Sequence, residues 1–551
     1  MPGRSRTVHR SMVGWYDPRV LMHSAYQVAI ANIFGRHSDT RLIEALASQP
    51  QAEFDYSQPA GDFWLDYVAD TGDGWNSTYA VADALAQSTL ELEHHGRREA
   101  LDAGRVLVFG GDEVYPYPSR AEYEARTEGP YRHAFAGRVR PDVFAIPGNH
   151  DWYDSLVAFS RTFCRPERGF AGCKTRQTRS YFALRLPANW WLLAIDLQLG
   201  ADLDEPQVKY FQKVAAGMDE QARLIFCVPE PRWILEDAYP RHESYDEQSS
   251  TRFLEEEVFK RKARVFLTGD LHFYKRHEDA EGVQKITSGG GGAFLHPTHA
   301  PHTARLRNGF EQRAVYPDEH ISRLLSWRNF LFPVLNPKAG WRWAFLYAMS
   351  AWLASARLEA SDVIDLPTAL SAAVNAAIRD PLDGMWLIAI YAGFIFFTDT
   401  HVRSWRVLGG FFHATMHMAA AFLVGWASLL LTVQVFELHY GSTLQLLLSA
   451  LITVPLGAIA GSFILGAYLF ASINIFGRHS NEAFSSLRIQ DYKQWLRLRI
   501  DASGKLTIFT IAIDRVPRHW RATQREGEPT FAAHDSRATR PRLIDRVEVR
   551  A

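Results

Sequence analysis

Cysteine is scarce in this chain: Cys164, Cys173 and Cys227 are the only three in 551 residues. Three cannot build a disulfide framework, and they fit a reducing compartment, with Cys164 and Cys173 read as free thiols in a loop. An excess of charge is also missing. Lys and Arg number 60 against 61 Asp and Glu, which gives no support for a nucleic-acid surface. The opening stretch MPGRSRTVHRSMVGWYDP has no apolar run of the secretory-signal kind, so a cleaved leader is not expected. The length excludes a single compact domain.

What is present is a sharp unevenness in hydropathy. Up to about residue 335 the pattern is that of a soluble α/β protein. Beyond it come apolar stretches almost free of charge, the strongest at 407–436 and 444–476. Each exceeds the roughly 20 residues a helix needs to cross a bilayer. Two shorter candidates lie at 341–358 and 381–399, and they reach spanning length only if Arg342 and Arg357 snorkel. Arg and Lys flank the outer ends of this region and the 403–406 connection, whereas the ELHYGST loop has neither. Four spans are therefore expected, with both termini and the soluble head in the cytoplasm.

Five apolar runs of the head end alike. FWLDYVADTGDG (63–74), RVLVFGGDE (105–113), DVFAIPGNHDWY (142–153), RLIFCVPEP (223–231) and RVFLTGDLH (264–272) each stop at Gly or Pro and then offer Asp, Asn, Glu or His. Helical patterns such as 77–95 and 250–263 separate them. Open sheets with intervening helices collect their strand-end loops on one edge, where ligands bind. One such acid is ordinary turn chemistry. Five are not.

GGD at 110–112, GNHD at 148–151 and GDLH at 269–272, with the Gly-rich GGGGAFLHPTH (289–299), resemble the calcineurin-like metallophosphoesterase superfamily in order and spacing. The resemblance covers about 63–300 and implies a four-layer αββα sandwich with two metal ions at the strand ends. It also implies roles. Asp70 would bind the first metal, Asp112 would bridge both, Asn149 would bind the second and His272 would return to the first. His150 would protonate the leaving oxygen from near its ordinary pKa, with Asp151 holding its ring. Two adjacent cations need a shared carboxylate to offset their repulsion, and together they activate water and clamp a phosphate.

Three positions depart from the family pattern. Gly72 stands where the first motif has His, Pro229 or Glu230 stands at the lone His, and Asp270 stands at the first His of the last motif. Asp73 is a candidate replacement for the first. With Glu230 and Asp270 the second metal would have an all-oxygen shell, which favours Mn²⁺, with Mg²⁺ or Fe as alternatives and Zn²⁺ less suited. Arg232, His296 and His299 are candidate substrate contacts. His277 reads as a surface charge, and Trp152 and Tyr153 as packing residues.

The expected organisation is an N-terminal segment with an apolar helix (1–60), the head (61–320), a membrane domain (340–476), a C-terminal helix and β-hairpin (477–520) and a disordered tail (521–551). The hairpin, around Ser503-Gly504, is placed to extend the head's sheet. NIFGRHS occurs twice, within 25–39 and 467–481, each copy read as a helix stopped by Gly35 or Gly477 with Ser38 or Ser480 capping the next. The first copy is read as an apolar helix against the membrane. His413 and His417 share one helical face, and as ionisable groups at membrane depth are candidates for metal or proton sites, although an interfacial position is the expectation. The whole reads as a membrane-anchored two-metal phosphoesterase acting on a phosphate ester, lipid-linked or membrane-proximal. Its rivals are a silent scaffold or sensor and a regulated transport protein.

Overall fold

The computed structural model describes residues 9–30, 53–58, 61–197, 203–238, 248–356, 359–361, 363–398, 403–523, 530–535 and 540–549. Two compact units emerge. The head contains Met1–Val13, Met22–Ser322 and Arg488–Ala551; the helical unit contains Gly14–Leu21 and Arg323–Leu487.

The five runs with acidic endings are all strands, and they divide between two sheets. Phe63–Val68, Val106–Phe109 and Asp142–Ala145 lie side by side and parallel in a seven-stranded sheet. Arg223–Cys227 and Ala263–Thr268 are parallel neighbours in an eight-stranded one. Parallel strands covered on both faces read as continuous apolar runs, which is how these appear in the sequence. Alternation along them sends Leu65, Val106 and Phe144 into a core shared with Leu192, Ile225 and Val265 of the second sheet. The opposite faces carry helices. Leu107 and Val143 pack with Tyr79 and Val81 of helix Trp75–Leu85, and Leu224 and Phe226 pack with Phe211 and Val214 of helix Glu205–Ala216.

After the helical unit the chain returns to the head. Strands Lys493–Ile500 and Leu506–Ile513 form the expected hairpin, and the first pairs antiparallel with Phe63–Val68. The expectation of a disordered tail fails where it is described. Arg542–Val549 adds the edge strand beside Leu506–Ile513, and Trp520–Ala522 pairs with Phe531–Ala533. An edge strand is held by backbone hydrogen bonds and needs few apolar side chains; Leu543 and Val549 supply the buried ones. The helical reading of 77–95 is also corrected. The helix ends at Leu85 and Thr89–His94 is a strand that buries Leu90 and Leu92, a period of two.

His277 is buried, not a surface charge. Strand pairing on both sides covers it, and its Nε2 lies 2.8 Å from the Thr303 carbonyl, to which it donates. Burial pushes its pKa down to about 4. The unfolded chain, near 6.5, therefore takes up a proton that the folded head refuses. This stability is present above pH 6.5 and is lost as pH falls towards 4, about 3 kcal/mol in all. His277→Asn is expected to flatten the acid limb of a denaturant-measured stability profile; an unchanged limb would contradict the assignment.

In the helical unit, Arg403–Val435 and Thr443–Phe476 are long and apolar enough to cross a membrane, with 33 and 34 residues. Leu366–Arg379 and Pro381–Phe397 meet at 94° and count as a third only if taken together. Helices Gly340–Ser355 and Pro381–Phe397, at the two shorter candidates, have 16 and 17 residues and do not reach spanning length alone. Gly457 and Gly461 let helix Gly340–Ser355 approach closely, since a Cβ at either would come within 2.7 Å or 2.5 Å of Tyr347 and Trp343. Helix Thr443–Phe476 does stop at Gly477, whose φ is +64°. The next helix is preceded by His479, so Ser480 is its first residue and not its cap. The first NIFGRHS copy lies outside the described residues; the helix before it is Pro18–Ile30.

Candidate metal centre

Three of the strand-end carboxylates sit on left-handed backbone. Asp70, Asp112 and Asp270 have φ of 58°, 55° and 68°. Residues with side chains adopt this region sparingly, and such conformations gather at functional sites. The loops are interlocked: the Asp70 amide donates to the Gly111 carbonyl at 2.9 Å, and the Ala293 amide to the Asp70 carbonyl at 2.8 Å. Gly148 has no room for a side chain, because a Cβ there would lie 2.1 Å from Asp112 Oδ1. That absence lets the His150 amide donate to the same oxygen at 2.8 Å.

Four donor atoms converge. The Tyr115 hydroxyl lies 3.0 Å from Asp70 Oδ1, 3.1 Å from Asp112 Oδ2 and 3.0 Å from His272 Nε2, and the last is 3.3 Å from Asp70 Oδ1. His272 is 2.7 Å from the Phe294 carbonyl through Nδ1, so Nδ1 holds the ring proton and Nε2 presents a lone pair. One phenol proton therefore faces two carboxylates and an imidazole lone pair. It can serve one of them. Burial pushes Asp70 and Asp112 well above the usual carboxylate range, and the charge of Asp70 raises Asp112 further. A cation satisfies such an acceptor-rich cluster, and donor separations near 3 Å are those of ligands around one ion with bonds of roughly 2.0–2.3 Å. Among the described residues no group of three or more His, Cys, Asp and Glu is arranged to hold a metal ion by itself. Tyr115 is the residue whose hydroxyl joins the three side chains. It was missed in the sequence, where the only signal was its place three residues after Asp112.

The other candidates are distributed as follows. The Asp270 amide donates to Asp70 Oδ2 at 3.0 Å, and its carboxyl is raised by burial and then by the charges of Glu230, Asp112 and Asp70. Glu230 accepts from Arg232 Nε at 2.9 Å, which makes Arg232 a partner of that acid. Asn149 donates through its amide nitrogen to the Tyr153 hydroxyl at 3.0 Å. His296 stacks on His272 with ring centres 3.9 Å apart, whereas His299 bonds Ser322 at 2.8 Å. Trp152 donates to Asp196 at 3.1 Å.

Three expectations are corrected. Asp73 does not join the metal donors: its oxygens accept from the amides of Val13 and Phe294 at 2.8 and 3.1 Å. Asp151 does not hold the His150 ring. It accepts from the amides of Gly148 and Glu113 and from the Tyr123 hydroxyl, which fixes the loop, while His150 Nδ1 lies 2.9 Å from the Pro116 carbonyl. A backbone amide is a nearer donor to a carboxylate than a ring whose own hydrogen already points elsewhere. His150 also does not keep an ordinary pKa; burial pushes it down to about 4, so the ring is neutral at pH 7. Lys493, from the returning hairpin, is a further residue that the sequence did not single out. It is buried, donates to the Ala293 carbonyl behind the Gly-rich loop, and is lowered by burial to about 8.

No family model matches this chain, and no curated protein does. Solved structures share low similarity with its fold. GAP50, the anchor in the inner membrane complex of Plasmodium, is 12% identical over 47% of this chain and 79% of its own, with a TM-score of 0.33. PhoD is 10% identical over 43% of this chain and 59% of its own, at 0.28. The phosphopantetheinyl hydrolase PptH from Mycobacterium tuberculosis is 14% identical over 42% of this chain and 92% of its own, at 0.25. At such scores none of them carries an activity over to this protein.

Proposed function

We propose that the head is a metal-dependent phosphoester hydrolase of the calcineurin-like kind, built on an αββα sandwich and anchored by the helical unit with its head in the cytoplasm. The observation that carries this reading is the convergence of Asp70, Asp112 and His272, from three different strand-end loops, on the Tyr115 hydroxyl. A divalent ion held there would polarise a phosphate and supply hydroxide at neutral pH. Asp112, with Asn149, Asp270 and Glu230, is assigned to a second ion, and Mn²⁺ is preferred for the oxygen-rich set over Mg²⁺ or Fe, with Zn²⁺ last. For Glu230 this requires release from Arg232, which then becomes available to a phosphate oxygen. The protein's own groups do the remaining work. The interlocked loops hold the acids in place, and the Gly148–Asp151 turn fixes His150 beside them. His150, neutral at rest, becomes a proton donor to the leaving oxygen once a phosphate's negative charge favours the imidazolium. The anchor points to a lipid-linked or membrane-proximal phosphate ester.

The test uses full-length protein in detergent with added Mn²⁺, assayed on an aryl phosphate and a bis-aryl phosphodiester. Hydrolysis of at least one is expected, and His150→Ala should slow it by about 10²–10⁴-fold. A correctly folded protein that turns over neither substrate would favour the silent scaffold.

A further inference from the structure

The helical unit holds a second convergence of donors. His413 and His417 are one helical turn apart on Arg403–Leu430, and both are buried, at 5% and 0% exposure. Burial comes from neighbouring helices. Trp343 stacks on His417 with ring centres 4.2 Å apart, Tyr468 stacks on His413 at 4.0 Å, and Phe394 lies 4.7 and 5.1 Å from the two rings. Within this aromatic box the two Nε2 atoms face each other at 3.1 Å. The far nitrogen of His417, Nδ1, lies 3.3 Å from the Tyr347 hydroxyl.

We propose that this pair is a transition-metal site, taking one d¹⁰ ion, Zn²⁺ or Cu⁺. Two imidazoles bound about 2.0–2.1 Å from one ion, at an angle between square and tetrahedral, place their nitrogens roughly 2.9–3.4 Å apart. The observed separation falls inside that window. Imidazole pairs four residues apart on a helix suit such ions, and carboxylate-preferring Mn²⁺ or Mg²⁺ is excluded by the nitrogen-only donors. Tyr347 fits the role of the outer partner that orients a ligating histidine: with the ion bound, His417 carries its proton on Nδ1 and donates it to the tyrosine oxygen. Both rings are then neutral Nδ1–H tautomers, so a neutral pair binds the ion with no net proton release. The flat stacking of Trp343 and Tyr468 spreads charge placed on the rings, which reduces the cost of a cation at this depth. Among the described residues no third His, Cys, Asp or Glu joins the pair. The remaining coordination positions therefore belong to a small exogenous ligand.

The site is separable from the head's candidate centre by experiment. Full-length protein in detergent is stripped of metal, loaded with Zn²⁺ or with Cu⁺ under reducing conditions, desalted and assayed for bound metal. The His413→Ala/His417→Ala protein is expected to lose one equivalent that Asp112→Asn retains. Should the double variant misfold, Co²⁺ loaded into Asp112→Asn provides an independent readout. Visible d–d bands of nitrogen-ligated Co²⁺ are expected, and their intensity should fall in Asp112→Asn/Tyr347→Phe. Equal metal in Asp112→Asn and in Asp112→Asn/His413→Ala/His417→Ala, or no Co²⁺ bands in Asp112→Asn, would overturn the site. The pair would then be a hydrogen-bonded one only.

Discussion

Asp112→Asn is expected to reduce Mn²⁺-dependent hydrolysis on the order of 1,000-fold, equivalent to about 4 kcal/mol of transition-state stabilisation. The substitution is isosteric. Its amide oxygen can still accept from the His150 amide, as Asp112 Oδ1 does at 2.8 Å, so the loop is retained. What disappears is the negative charge facing Tyr115, Asp70 and His272. The same substitution should have the opposite effect on the metal-free fold. Burial, and then the charges of Asp70 and Asp151, raise the Asp112 carboxyl, so a neutral amide spares the metal-free fold the cost of a charge there. Metal-free Asp112→Asn is expected to melt above metal-free wild type while losing the stabilisation that Mn²⁺ confers on wild type. Retention of more than about a tenth of the activity would move the catalytic centre elsewhere.

Asp66→Ala is expected to destabilise the head by about 3–5 kcal/mol, read as a lower denaturant midpoint. Asp66 lies on the strand that leads to Asp70, and its carboxylate meets Arg497 of the returning hairpin through two contacts, 2.7 and 3.0 Å long. Both side chains are sealed, at 2% and 0% exposure. Arg497 also donates to the carbonyls of Leu101 and Leu85 at 2.9 and 3.1 Å, and the Gly104 amide donates to Asp66 at 3.0 Å. Removing the acid leaves a guanidinium buried without its counter-charge, which is the costly case. Replacing both partners, as Asp66→Ala/Arg497→Met, should recover much of the loss, because an apolar pair carries no desolvation penalty. A change below about 1 kcal/mol in the single variant would show that water reaches the pair.

Much of the head was legible because its information is local. Five apolar runs ended in acids, and the structure makes each a strand whose loop carries that acid. His272 and Asp112 both reach the Tyr115 hydroxyl from their strand-end loops. Asp73 was misjudged for a physical reason: one residue's shift in a turn changes which way a side chain points, and two amides claimed its oxygens. The Tyr115 ring crosses from its own loop to those of Asp70 and His272, and nothing in the spacing G-G-D-E-V-Y states that direction. The final strand, Arg542–Val549, was hidden because its pairing with Leu506–Ile513 satisfies the backbone while its side chains stay largely polar.

The sequence by itself determined the division into a mixed α/β head and an apolar helical region, the strands that end in acids, and the acceptor-rich character of those endings. Hydropathy, turn chemistry and residue type are properties of short segments, so they survive being read in a line. Only the tertiary structure decided that the Tyr115 hydroxyl meets Asp70, Asp112 and His272, that Asp151 holds a loop and not a ring, and that His413 and His417 face each other inside a box of aromatic rings. It also decided that Arg542–Val549 adds an edge strand to the first sheet. Each of these depends on distances between residues far apart in the chain or on the direction a side chain takes. Packing and the need to pair buried polar groups set those.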